Sequence, residues 1–228
     1  MTSTYWPASS STTPRYAGPV SFFRLPSLTD PDQADIALLG LPYDGGTTNR
    51  AGARHGPREM RAMSMFIRPF HHVTKTSPYT HHRVADFGDA PMNPIDIMES
   101  LDLITRHYTR FKAAGTRPIT AGGDHLITLP ILRALAADGP VGLIQFDAHS
   151  GTNDSYFGGH KYTHGTWVRR AIEEGLIDPK RCVQIGIRGT RYAPDGNDFA
   201  DNAGVTTLYI EDVYRLGLPG VIAEARRI

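Results

Sequence analysis

A chain of 228 residues with 40% hydrophobic and 21% charged residues has ordinary globular composition, with length for one sizeable α/β core. Its formal net charge of +1 excludes nucleic-acid or anionic-lipid binding driven by bulk charge. The single cysteine, Cys182, excludes an internal disulfide framework and reads as strand core. No run approaches the roughly 18 apolar residues of a membrane span. The Ser/Thr/Pro-rich start, residues 1–19, lacks an apolar signal core and reads as a flexible or docking arm. A cytoplasmic, soluble protein with no nucleic-acid or membrane partner is expected.

In chain order, an N-terminal arm over 1–34 precedes the apolar run Ile36–Leu41, a predicted strand. A Gly-rich loop from Asp44 to Gly56 follows, and Pro57 opens a helix running to about Phe66. The His-rich stretch 71–82 reads as loop and leads into a strand around Val84–Asp86. A long helix is predicted over Ile95–Ala114, since Ile97, Leu101, Ile104 and Tyr108 share one face and Gly115 ends it. Then come a strand at Pro118–Ala121, a helix from Thr128 to Ala137, and the nearly continuous apolar run Val141–Phe146. That run has the character of a strand in the middle of a parallel sheet. Helices are predicted at His164–Glu174 and Leu218–Arg227, and strands at Val183–Ile187 and Val205–Ile210. Alternating strands and helices argue for a parallel sheet covered on both faces, with ligand sites beyond the carboxyl ends of the strands. Residues 35–228 show no internal repeat and no linker that divides them.

Two predicted strand ends carry chemistry: Gly122-Gly-Asp-His125 and Asp147-Ala-His149. In an extended segment, residues two apart face one side, so Asp147 and His149 can point into one cavity. His125 joins them if its strand is adjacent. Two imidazoles and a carboxylate suit a divalent cation such as Mn²⁺ or Zn²⁺, and a carboxylate can bridge two such ions. The bland reading of His125 alone is a capping or core histidine, and an isolated Asp-x-His is a weak signal. Both motifs at successive strand ends favour a metal site.

With the loop Asp44-Gly-Gly through Arg50-Ala-Gly-Ala-Arg54-His-Gly-Pro57 to Arg61, these motifs resemble the ureohydrolases, the family of arginase and agmatinase. Three motifs in order carry the resemblance over about residues 35–228. It implies a three-layer α/β/α sandwich around a parallel sheet, assembled as trimers or hexamers. It also implies metal-dependent hydrolysis of a small guanidino substrate to urea and an amine. By the same resemblance, His125 and His149 each bind one Mn²⁺ of a binuclear pair, and Asp147 bridges the two and counts as catalytic. His164, in Thr163-His-Gly-Thr166, matches the histidine proposed to pass protons to the leaving amine; from its position alone it reads as a helix-start histidine. Asn153 matches a polar residue that contacts the substrate tail, and residues 152–159 look closest to the guanidinobutyrase and guanidinopropionase side of the agmatinase group. Agmatine or 4-guanidinobutanoate is the expected substrate. The His71-His72 and His81-His82 pairs match no metal position and read as loop or interface residues.

The chain departs from the pattern at two places. Where the second motif ends in a ligating Asp, this chain has Gly151, although Asp154 lies close by. The third motif, Asp-x-Asp, does not occur after His149, so the domain is expected to be C-terminally incomplete with half the pattern's ligands and a weakened second ion site. Two other readings stand beside the enzyme. One is a catalytically inactive homologue acting as a structural or regulatory subunit; the other is amide hydrolysis of the histone-deacetylase kind, against which the Arg50–Pro57 loop and Gly122–His125 argue.

Overall fold

A computed structural model describes residues 5–194 and 198–228. The chain divides into two compact units: residues 1–45 with 49–127, and residues 46–48 with 128–228.

The first unit contains a parallel sheet of order β2-β1-β3, built from β1 (Ile36–Leu41), β2 (Val84–Asp89) and β3 (Arg117–Gly122). β1 lies in the middle, with Ile36 opposite both Val84 and Arg117, and it is buried almost throughout. Such a strand must be apolar on both faces, which explains its unbroken Ile-Ala-Leu-Leu-Gly-Leu run. Helix α1 (Gly56–Ser64) starts with Pro57 in its first turn, where a missing N–H costs nothing. Helix α2 (Ile97–Ala114) begins two residues later than its periodicity suggests. Asp96 is its N-cap and accepts from Glu99 N at 2.9 Å, which leaves Ile95 outside. Gly115 ends it at φ +70°, and Leu101, Ile104, Tyr108 and Phe111 form its buried stripe.

The described part of the N-terminal arm docks on this unit. Trp6 packs against a cluster of Phe22, Leu25, Leu38, Tyr79 and Val84, and Ala8 N donates to Arg24 O at 3.1 Å. Arg61 of α1 binds Asp86 at 2.9 Å and Asp89 at 2.5 Å and lies 4.4 Å over the Phe22 ring, so it ties arm, helix and strand together.

The second unit holds a parallel sheet of order β4-β5-β6, from β4 (Val141–Phe146), β5 (Ile177–Ile187) and β6 (Thr206–Tyr209). Here the structure corrects the expectation that Val141–Phe146 is a middle strand. β5 is the middle strand of this sheet, buried continuously from Cys182 to Ile187, while β4 is an outer strand with Ile144 and Phe146 exposed. Cys182 is fully buried and its thiol is pushed up to about 12 by desolvation, in keeping with a core residue. Helix α3 covers Thr128–Leu135 and α4 covers Trp167–Glu173, starting three residues after His164. A short α5 (Asp198–Ala203) was not foreseen. Helix α6 begins at Ile210, eight residues before the predicted Leu218, as two helical pieces joined where Gly217 has φ +62° ahead of Pro219. Among the described residues no helix is long and apolar enough to cross a membrane.

Candidate functional site

In the first unit, the turn after β3 is shaped by close backbone approach. A Cβ on Gly123 would stand 2.0 Å from Tyr43 O, and one on Gly56 would stand 2.7 Å from Gly122 O. Only glycine fits at either position. Gly123 N donates to Leu41 O at 3.2 Å and Asp124 N to Tyr43 O at 2.8 Å, fastening the turn to the end of β1. The buried Asp124 carboxylate accepts from Leu126 N at 2.7 Å and so shapes the short 3-10 turn His125–Ile127. His125 therefore stands three residues beyond the carboxyl end of β3 on a braced turn.

The Gly-rich loop of the same unit is organised by Asp44. Its Oδ2 accepts from Gly52 N at 2.7 Å and Arg54 N at 3.2 Å, and its Oδ1 from Arg54 Nε at 2.6 Å. The Arg54 hydrogen bond, aided by the two backbone donors, lowers the Asp44 carboxyl to about 2 although desolvation opposes it. Two motif residues, Asp44 and Arg54, thus hold the loop's own shape.

The second unit carries Asp147 just past the end of β4, with its N–H donating to Ile185 O at 3.1 Å. The Asp147 carboxylate accepts from His149 N at 2.9 Å through Oδ1 and from Gln145 Nε2 at 2.9 Å through Oδ2. Behind it, Gln184 Nε2 donates to Gln145 Oε1 at 2.9 Å and to Ser150 O at 2.6 Å, and Gln145 Nε2 reaches His149 O at 3.3 Å. Both amides are buried, Gln145 4% and Gln184 0% exposed. Ala148 O accepts from Arg188 N and Gly189 N, each at 2.9 Å, and the His149 ring lies over Gly189, where a Cβ would meet Cδ2 at 2.5 Å. The two glutamines were missed in the sequence. The signal was present, two polar residues inside apolar strands, but it acquires meaning only once the register sets Gln145 opposite Gln184.

Gly151 takes φ +68°, and its carbonyl accepts from Val168 N at 3.1 Å at the start of α4. Asp154 does not replace the missing ligand: its carboxylate binds Arg170 at 3.0 Å and Arg169 at 3.4 Å, and the Arg170 hydrogen bond holds it below the usual carboxylate range.

His164 lies in the turn before α4 and not on the helix. Its N–H donates to Gly46 O at 2.9 Å. Its Nε2 stands 2.8 Å from Thr48 Oγ1 and 3.3 Å from Thr48 N, so Thr48 holds that nitrogen of the ring. Asn153 is bound within its own loop: its N–H meets Gly165 O at 3.2 Å, and Nδ2 donates to the Tyr156 hydroxyl at 2.8 Å. Of the paired histidines, the His71 and His72 rings lie 4.8 Å apart, tilted by 36°, and His71 Nδ1 accepts from Thr74 N at 3.3 Å in an exposed loop.

Within the second unit, the braced Asp147 carboxylate and the His149 imidazole at one strand end are donors of a kind that suits a divalent cation. Gly151 adds no donor, and among the described residues no three His, Cys, Asp or Glu side chains come together as a group that could hold a metal.

The arginase family model matches residues 34–228. The chain is 56% identical over 215 residues to a guanidinopropionase of Pseudomonas aeruginosa, covering 94% of this chain and 68% of that one. It resembles the structure of the proclavaminate amidino hydrolase of Streptomyces clavuligerus at 37% identity and TM-score 0.89, covering 94% and 71%. A formiminoglutamase of Trypanosoma cruzi solved with Mn²⁺ shares the fold at 24% identity and TM-score 0.78, covering 90% and 70%.

Proposed function

We propose that this chain, which belongs to the arginase family, acts in the metal-dependent hydrolysis of a linear guanidino acid to urea and an amine. The observation that carries the reading is the braced end of β4, where the Asp147 carboxylate accepts from Gln145 and from His149 N, Gln184 of β5 holds Ser150 O, and the His149 imidazole follows Asp147 by two residues. Asp147 and His149 would hold Mn²⁺, with His125 the ligand that the family pattern adds, and when bound the ion supplies positive charge that acidifies water and polarises the guanidinium. Asp147 adds negative charge where a cationic substrate must be received.

His164 handles the proton. With Nε2 held at Thr48, Nδ1 is the ring nitrogen left to carry a proton to the leaving amine, while an Nε2–H of the imidazolium can donate to Thr48 Oγ1. Asn153 works through Tyr156: by donating to the Tyr156 oxygen it leaves that hydroxyl's own proton to donate to the substrate tail. A neutral donor suits a carboxylate tail better than the ammonium of agmatine. The guanidinopropionase relative supports the same preference.

Urea release from 3-guanidinopropanoate, 4-guanidinobutanoate, agmatine and arginine, measured side by side on Mn²⁺-loaded protein, tests the proposal. The two guanidino acids should lead, at a slow rate because Gly151 offers no ligand. Arginine in first place, or failure of the protein to bind Mn²⁺, would overturn it.

A further inference from the structure

We infer that Gln145 and Gln184 are positioning residues that set the Asp147 carboxylate, and the backbone of residues 149–150, for divalent-cation binding. The inference rests on the metal-dependent reading above and extends it to two residues no motif contains. Partners fix the orientation of the Gln145 amide. Asp147 Oδ2 and His149 O can only accept, so Nε2 must face them and Oε1 must face Gln184. Gln184 must then present its own Nε2, which also reaches Ser150 O. The result is a directed relay from the middle strand β5, through the outer strand β4, to the carboxylate and loop.

Strand pairing does not require these amides. The neighbouring pairs in the same register, Leu143 with Cys182, Ile144 with Val183 and Phe146 with Ile185, are apolar, and the strands pair through them without side-chain hydrogen bonds. Nor does burial favour them, because Gln184 Oε1 is enclosed with no hydrogen-bond partner among the described residues. A pair of buried amides left partly unsatisfied costs stability, and here their outgoing hydrogen bonds end on the Asp147 carboxylate and on the carbonyls of residues 149 and 150. Groups that orient ligands in this way typically shift metal affinity by about 10- to 100-fold.

The full chain, dialysed free of metal, is titrated with Mn²⁺ while the electron paramagnetic resonance signal of the free ion is followed. Wild type is compared with Gln145→Met and Gln184→Met, and the melting temperature of each metal-free protein is recorded. We expect Kd for Mn²⁺ to rise by about 10-fold in Gln145→Met, with the metal-free melting temperature equal to or above wild type. A merely structural amide pair would show the reverse, a lower melting temperature and an unchanged Kd. Gln184→Met, one bond farther from the carboxylate, gives the same reading should Gln145→Met not fold. Wild-type-like Mn²⁺ affinity in a folded variant overturns the inference and leaves the proposed function standing; no Mn²⁺ binding by wild type removes both.

Discussion

Gly151 shows how one backbone conformation can bar the side chain that a motif calls for. At φ +68° an L-residue is strained, and a Cβ there would meet Val168 Cγ2 at 3.0 Å and Trp167 Nε1 at 3.1 Å. Those are tight contacts with a helix start that also hydrogen-bonds the Gly151 carbonyl. Gly151→Asp therefore adds a potential ligand at a cost of roughly 1 kcal/mol in backbone strain alone, or about 2–4 °C for a chain of this size. Calorimetry on the metal-free variant should show that drop, while Mn²⁺ titration should show tighter binding than wild type. A melting temperature above wild type would mean that the loop relaxes into another conformation. The sequence showed that the ligand was absent; the positive φ and the Trp167 wall that resist its return depend on how 151 meets α4, which no pattern along the chain encodes.

The loop from Asp44 to α1 is held by one carboxylate, which is lowered to about 2 chiefly by Arg54. Since the folded value lies below the unfolded one, the stabilisation is present above about pH 4 and is lost as pH falls from there toward 2. Urea-denaturation midpoints for wild type and Asp44→Asn should differ at pH 6 and converge between about pH 4 and pH 2. A constant gap down to pH 2 would show that Asp44 contributes only packing. Legibility of the other elements followed their physics. β1 and β4 match the predicted spans because an apolar run with turn residues at both ends leaves little choice of boundary. α4 and α6 start elsewhere than expected: the turn at His164 precedes α4, and α6 has a first piece running from Ile210 to the kink at Gly217, ahead of the expected start at Leu218. α5, six residues without a periodic stripe, carried no signal to read.

The family and the order of its motifs were readable from three short stretches because glycines and ligands there answer to local backbone needs. Gly56 and Gly123 are required wherever the strand ends approach this closely. The buried amides, the Thr48 contact to His164 and the division into two compact units arise from residues far apart in the chain, and only coordinates bring them together.

β3 and β4 are each the outer strand of a three-stranded sheet, and each presents apolar side chains to solvent: Ile119 on β3 is 57% exposed, and Ile144 and Phe146 on β4 are 59% and 77% exposed. An outer strand with unguarded hydrocarbon is a template for another strand, and neither β3 nor β4 has the lysine-studded rim that keeps natural edges apart. The consequence is colloidal: the chain should be sticky in a concentration-dependent way, expressing best with chaperones and at low temperature. Light scattering on a dilution series should show growing particles, and Ile144→Lys with Phe146→Lys should suppress them without shifting the Gln145–Gln184 relay. A monodisperse wild-type chain at high concentration would show that these edges are already sheltered.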